Sequence, residues 1–357
     1  MRSDILILGG GIIGLLSALN LAWAGLEVAV LDRGEMGRES TWAGAGILSP
    51  LLPWDYGSGV NALSERGRAL WPALADFLGQ GTGIDPEYWR CGMLALGDFD
   101  LTAAQAWCAA WGWRCEAPAP QQLAAFPPAS AALWLPDVAQ ARNPRVARAL
   151  VAACRQAGVR LLAHRVVTGL VVENGRARAV HTQAGTLHAE RFVVCAGAWS
   201  PALLGPHALG LHIVPVRGQI LLLRGPPGIP RHIVLRQGRY LVPRRDGLIL
   251  VGSTLEDAGF DKTPTPEARL ALLDFARGTL PALHACTVVL QWAGLRPGSP
   301  GNLPTIARHP ELDNLFINAG HFRYGVTMAP AAAELLVQLM LARPTTLDAL
   351  PYAWPRT

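Results

Sequence analysis

One short segment limits this chain more than any other: three consecutive glycines, Gly9-Gly10-Gly11, standing between an apolar run and a helix-forming stretch. Asp4-Ile-Leu-Ile-Leu8 reads as a strand, Ile12 to Trp23 as a helix, and Glu27 to Leu31 after Gly25 as a second strand. Gly9-Gly10-Gly11-Ile12-Ile13-Gly14 fits the pattern G-x-G-x-x-G, and Asp32 closes the second strand. In such a βαβ unit Gly9 allows the tight turn, Gly11 lets backbone approach a pyrophosphate at the helix N-terminus, and Gly14 permits close helix–strand packing. The Asp32 carboxylate then accepts a ribose hydroxyl. Ile5 to Leu26 is apolar enough to resemble a signal peptide or a membrane span. However, a span has no use for the glycines, whereas a buried parallel strand needs the near-continuous apolar run.

Composition supports a compact enzyme. Of 357 residues 51% are hydrophobic and 16% charged, with 38 glycines and 28 prolines, which excludes disorder as a global description. The formal charge is +5, but Lys262 is the only lysine and the arginines are scattered, so the basic patch that nucleic acid requires is missing. The six cysteines show no C-x-x-C spacing and no metal-ligand pattern is present, which points to a reducing cytoplasm and no metal.

Further along, a helix near 62–79 precedes an irregular segment rich in Trp and Pro up to about 140. An amphipathic helix opens at Asn143-Pro144, a β-meander covers 165–195, and short β-runs follow at Val214 to Leu223, Tyr240 to Pro243 and Leu248 to Val251. A helix near 266–278 comes next. The chain ends with the strand Leu315 to Asn318, a glycine corner at Gly320 to Gly325 and a helix from about Ala329 to Leu341.

The fingerprint alone leaves FAD and NAD open. Arg33 and then Glu39-Ser40-Thr41 and Ala43-Gly44-Ala45-Gly46-Ile47 supply small residues against which a bulky ring system can lie. Together with Val214 to Gln219, Tyr240 to Arg244, Trp292 to Gly298 and Ala319 to Gly325, these segments resemble the glycine oxidases of thiamin biosynthesis, a branch of the FAD-dependent D-amino-acid oxidase and sarcosine oxidase family. The resemblance runs from Ile5 to about Leu341.

It implies an α/β fold with a Rossmann-like FAD-binding domain of the GR2 type (1–80, 141–210 and 292–357) and a β-rich substrate domain of antiparallel or mixed sheet (81–140 and 211–291). It also implies non-covalent FAD, since no cysteine stands where the covalently flavinylated sarcosine oxidases carry one. Arg296 becomes the bidentate clamp for a substrate carboxylate, Tyr240 its hydroxyl partner, and Arg323 a second arginine near substrate and flavin. Ile47 and Leu255 become medium apolar walls of the substrate pocket. Val167 and Gly197 fall on the cofactor side, with Gly298, and Gly320, His321, Phe322, Arg323, Tyr324, Gly325 and Val326 wrap the flavin with backbone N–H groups. Gly238 stands where some glycine oxidases carry a histidine, so no role for a histidine transfers there.

The activity implied is oxidative deamination of glycine and other small amines or amino acids, such as sarcosine and small D-amino acids, by hydride transfer to flavin N5. The products are the 2-oxo acid, ammonia and hydrogen peroxide. Expected partners are the small amino acid, dioxygen, a thiazole synthase and further copies of the chain in a homo-oligomer; nucleic acid and stable membrane insertion are not expected. A D-amino-acid or N-methyl-amino-acid oxidase, a dehydrogenase with a non-oxygen acceptor, and a non-catalytic flavoprotein subunit are the alternatives. The last has no use for the pair Arg296 and Tyr240.

Overall fold

The structure is a computed structural model that describes residues 2–225 and 228–355. The apolar run at the start forms the strand Arg2–Leu8, parallel to Val28–Leu31 on one side and to Gly185–Val194 on the other. Ile5, Leu6, Ile7 and Leu8 are at most 2% exposed, because helices cover the face of Ile5 and Ile7, while Ala177, Val180, Leu204 and Leu211 cover that of Leu6 and Leu8. The sheet continues as Thr305–Arg308, Leu315–Ala319, Gly185–Val194, Arg2–Leu8, Val28–Leu31 and Arg160–Leu162. The hairpin Val167–Glu173 and Arg176–Thr182 extends antiparallel from Gly185–Val194, as the meander at 165–195 predicts.

Four helices share one core with this sheet: Ile12–Trp23, Ser58–Thr82, Asn143–Gln156 and Gly325–Met340. The last begins at Gly325, earlier than the sequence suggests, and carries Pro330 inside it. Proline has no N–H for the carbonyl four residues back. That carbonyl, Val326 O, instead accepts a hydrogen bond from Trp71 Nε1 at 3.0 Å.

The second sheet runs Thr287–Gly298, Val214–Arg224, Leu248–Gly252, Arg239–Pro243, Ile233–Arg236, Met93–Gly97 and Ala131–Leu135. Only the pairing of Ile233–Arg236 with Met93–Gly97 is parallel. Alternation along the strands divides it into two faces. Leu221, Leu223, Leu241 and Ile249 pack under Leu272 and Phe275 of the helix Pro266–Thr279, while Ile220, Tyr240, Val242 and Leu250 turn the other way and join the core of the first sheet. Thr287–Gly298 pairs along its length with Val214–Arg224, and the boundary expected at 291/292 falls inside it. Its Gly294, Pro297 and Gly298 hide the strand from a sequence reading; pairing with a distant partner overrides them. The boundary expected at 80/81 likewise falls inside the helix Ser58–Thr82.

A Cβ built on Gly14 stands 1.9 Å from Gly9 O, a backbone atom with no room to yield. Gly14→Ala is therefore expected to destabilise the protein by about 1–3 kcal/mol, as overpacked interiors do, read as a lower urea midpoint at unchanged m-value.

Candidate functional site

Where Arg2–Leu8 ends, Gly9 takes φ +119°, and a Cβ there lies 2.3 Å from Cys195 O. The chain then enters the helix Ile12–Trp23, whose first turn holds no acidic residue and whose N-cap, Gly11, has no side chain. Two side chains brought in from elsewhere organise this end: Thr41 Oγ1 accepts from Ile12 N–H at 2.9 Å, and Asp32 Oδ2 from Gly10 N–H at 2.7 Å. Asp32 Oδ1 accepts from Gly34 N–H at 2.8 Å, which sets the carboxylate at the strand's end.

Beside this helix end opens a cavity of about 380 Å³. Gly9, Gly11, Ile12, Ile13, Asp32, Arg33, Ser40 and Thr41 line it at one end, Val167 and Gly197 beside them, and Gly320, His321, Phe322, Arg323, Gly325 and Val326 at the other. A helix N-terminus with free N–H groups, no competing carboxylate in its first turn and glycines clearing its approach suits a pyrophosphate. His321 is 2% exposed and its Nε2 has no partner among the described residues, and burial holds its pKa down at about 3, so the ring is neutral.

A second, smaller cavity of about 80 Å³ adjoins the first, with Gly46, Ile47, Tyr240, Arg296, Arg323 and Tyr324 in its walls. Ala45, from the same turn as Gly46, also lines it. Arg296 and Arg323 belong to both cavities and so stand where the two meet. The strands Thr287–Gly298 and Arg239–Pro243 bring Arg296 and Tyr240 to this place. Glycines make room for them: a Cβ on Gly218 lies 2.1 Å from Arg296 Nη1, and one on Gly252 lies 2.5 Å from Tyr240 Cε2.

Arg296 donates from Nη2 to Ser253 Oγ at 2.6 Å and from Nη1 to Thr254 O at 3.3 Å. Burial lowers its pKa and the neighbouring Tyr240 works against that shift. No Asp or Glu pairs with it among the described residues. A guanidinium offers five N–H donors, and a cation held away from bulk water needs an anion. The small cavity beside it has room for roughly six water-sized spheres at 10–15 Å³ each, a volume for a small carboxylate.

Five sequence-assigned residues fall elsewhere, among them Ala45 and Gly46, assigned to the cofactor but lining only the small cavity. Leu255 is 58% exposed and lines neither cavity, because its strand has ended and the chain has turned outward. Gly298 lines neither cavity and lies against Val214 and Val216, where a Cβ would collide with Val216 Cγ2 at 2.7 Å. Tyr324, assigned to the cofactor, lines the small cavity and not the large one.

The sequence reading gave Arg244 no role, although its charge within an apolar β-run was the available signal. It is 6% exposed and donates to Gln140 Oε1, to Ala141 O at 3.2 Å and to Ala45 O at 2.7 Å, with burial lowering its pKa to about 10. It thereby ties the second sheet to the turn that carries Ala45, Gly46 and Ile47. Glu39 and Trp199 also line the large cavity. Arg33 stacks 3.6 Å over the Trp199 ring, and Glu39 accepts from Arg33 at 2.9 Å and from Lys262 at 3.0 Å.

A family model described as DAO, FAD dependent oxidoreductase, matches residues 4–339. The chain is similar to a glycine oxidase of Pseudomonas aeruginosa, 43% identical over 359 residues that cover 99% of each chain. It is also similar to the bifunctional protein ThiO/ThiG of Nostoc sp., 32% identical over 96% of this chain and 53% of that one. The crystal structure of glycine oxidase from Geobacillus kaustophilus superposes with a TM-score of 0.95 at 28% identity, covering 100% of this chain and 99% of that one. Among the described residues no helix is long and apolar enough to cross a membrane.

Arg244→Ala strands three acceptors, each costing about 1–3 kcal/mol when buried and unpaired, so a loss of at least about 3 kcal/mol is expected in chemical denaturation. Because folding holds His321 at about 3, below an unfolded value of about 6.5, the unfolded chain binds a proton that the folded one refuses. Stability therefore falls as pH drops from about 6.5 toward 3. The urea midpoint of His321→Gln is expected to fall less steeply over that range.

Proposed function

The chain belongs to the FAD-dependent oxidoreductase family that the DAO model describes, and we propose that it is a glycine oxidase, acting on glycine and other small substrates such as sarcosine and small D-amino acids. The observation that carries this reading is Arg296: a desolvated guanidinium without an acidic partner, beside a cavity of about 80 Å³ shared with Tyr240. The substrate carboxylate takes the free donors of Arg296, with the Tyr240 hydroxyl beside it, and Ile47 closes the cavity on small side chains. Arg323 adds positive charge where the two cavities meet.

The larger cavity holds FAD without a covalent bond. Gly9, Gly11, Ile12 and Ile13 present the helix end to the pyrophosphate, and the Asp32 carboxylate keeps lone pairs for a ribose hydroxyl beyond those used by Gly10 and Gly34. Gly320, His321, Phe322, Gly325 and Val326 border the flavin end. In this reading 1–80, 141–210 and 292–357 form the cofactor domain and 81–140 with 211–291 the substrate domain, with the helix Ser58–Thr82 and the strand Thr287–Gly298 running across two of the boundaries.

When bound, FAD would supply the redox chemistry, a two-electron acceptor for the substrate's α-hydrogen as hydride that is reoxidised by dioxygen. The chain's own residues hold the carboxylate and orient the Cα–H bond toward the cofactor, and a substrate amine that enters neutral leaves no proton for a base to remove. Glycine, dioxygen and water thus give glyoxylate, ammonia and hydrogen peroxide. The two-part relative from Nostoc supports a place in thiazole assembly for thiamin, with the imine passed to a thiazole synthase before its hydrolysis to glyoxylate.

Purified protein carrying FAD is expected to release peroxide from glycine in air; flavin reduction without peroxide would assign another electron acceptor. Arg296→Ala is expected to keep the flavin spectrum and to lose at least about a hundredfold in kcat/KM, roughly 2.7 kcal/mol of transition-state stabilisation. Unchanged kinetics would remove Arg296 from the site.

A further inference from the structure

The wall of the small cavity contains a residue whose position is fixed twice over. Tyr324 is 3% exposed, and its hydroxyl donates to that of Tyr56. The two rings meet edge to face with centroids 5.1 Å apart at 85°. On one side the backbone of Tyr324 is held at the start of Gly325–Met340: its N–H donates to His321 O at 3.1 Å and its carbonyl accepts from Met328 N–H at 2.9 Å. On the other side the buried Asn61 holds Tyr56, donating from Nδ2 to both Pro53 O and Tyr56 O at 3.0 Å. Burial raises the Tyr324 phenol well above its ordinary pKa, so it stays protonated and is not a base for the reaction. A neutral ring with its hydroxyl already engaged offers the cavity bulk rather than chemistry.

We propose that Tyr324, braced by Tyr56, sets the upper size of the side chain or N-substituent a substrate can carry in this cavity. The inference rests on the cavity beside Arg296 being the substrate site. Ile47 and Leu51 line the same space, but aliphatic side chains on a turn yield more readily than a ring pinned at both ends. A braced aromatic wall rejects extra methylenes by steric overlap, and one methylene is worth about 10- to 200-fold in discrimination.

The test uses the FAD-loaded protein. For glycine, D-alanine and D-proline, kcat/KM is measured in the parent, Tyr324→Ala and Tyr56→Phe, and carboxylates of rising size (acetate, propionate, benzoate) are titrated by the change in flavin absorbance. In Tyr324→Ala the ratio of D-proline to glycine is expected to rise at least about tenfold, a shift of about 1.4 kcal/mol, with a matching gain in benzoate over acetate affinity. Tyr56→Phe, which frees the Tyr324 hydroxyl, is expected to move both ratios the same way by a smaller factor. Ratios unchanged in Tyr324→Ala at full flavin content would overturn the proposal. Should that variant purify without flavin, Tyr324→Leu gives the same comparison, and unchanged ratios there overturn it equally. If the parent releases no peroxide from any amino acid, the reaction assigned above fails, and the carboxylate titration still decides the size limit.

Discussion

Three backbone segments converge at the carboxyl end of the strand Arg2–Leu8, and the cavities depend on how closely they do so. Gly9 lies against the carbonyl of Cys195, and Gly14 against the carbonyl of Gly9, at separations that leave no space for a side chain on either glycine. This packing brings the helix Ile12–Trp23 down onto the sheet and directs its N-terminus at the large cavity. The turn from Arg38 to Leu48 follows, since Thr41 caps that helix from a distance and Asn143 Nδ2 holds Thr41 O at 2.7 Å.

A buried charge ties the second sheet to the turn beside the cavities. Arg244 satisfies its guanidinium with three acceptors from two places in the chain, the Gln140 side chain with the adjacent Ala141 carbonyl, and the Ala45 carbonyl. Arg296, on the edge strand Thr287–Gly298 of the same sheet, donates to Ser253 and Thr254 and has Tyr240 beside it. Arg244 is buried and Arg296 half-buried, and the cost of withdrawing either cation from water must be offset. The protein itself offsets it at Arg244, which is why that residue is structural. At Arg296 it leaves donors facing a cavity, and a residue held in that state is poised for an anion.

Much of this was legible from the chain itself. The turn at Gly9 to Gly14 with Asp32 was legible because its determinants are local: a strand, a turn and a helix within thirty residues, each stated by its own periodicity and glycines. Arg296, Tyr240 and Arg323 were legible through resemblance, because the segments around them hold a recognisable order. Leu255 shows the limit. It follows the strand Leu248–Gly252 in sequence, yet whether a side chain there faces the cavity depends on where the strand ends, and Leu255 lies past that point. Gly298 shows the same limit from the other side, a glycine that lines neither cavity and packs against Val216, where a Cβ has no room.

The sequence by itself determined that this chain builds a dinucleotide-binding βαβ unit, since that follows from residue type and spacing within one short stretch, whereas resemblance alone pointed from Arg296 and Arg323 to a carboxylate. Only the tertiary structure decided that Thr287–Gly298 is a strand, that Arg244 ties the second sheet to the turn carrying Ala45, and that Tyr324 in the wall of the small cavity is backed by Tyr56. Each of these depends on partners tens to hundreds of residues apart. Strand register and packing settle such contacts, and no local pattern records them.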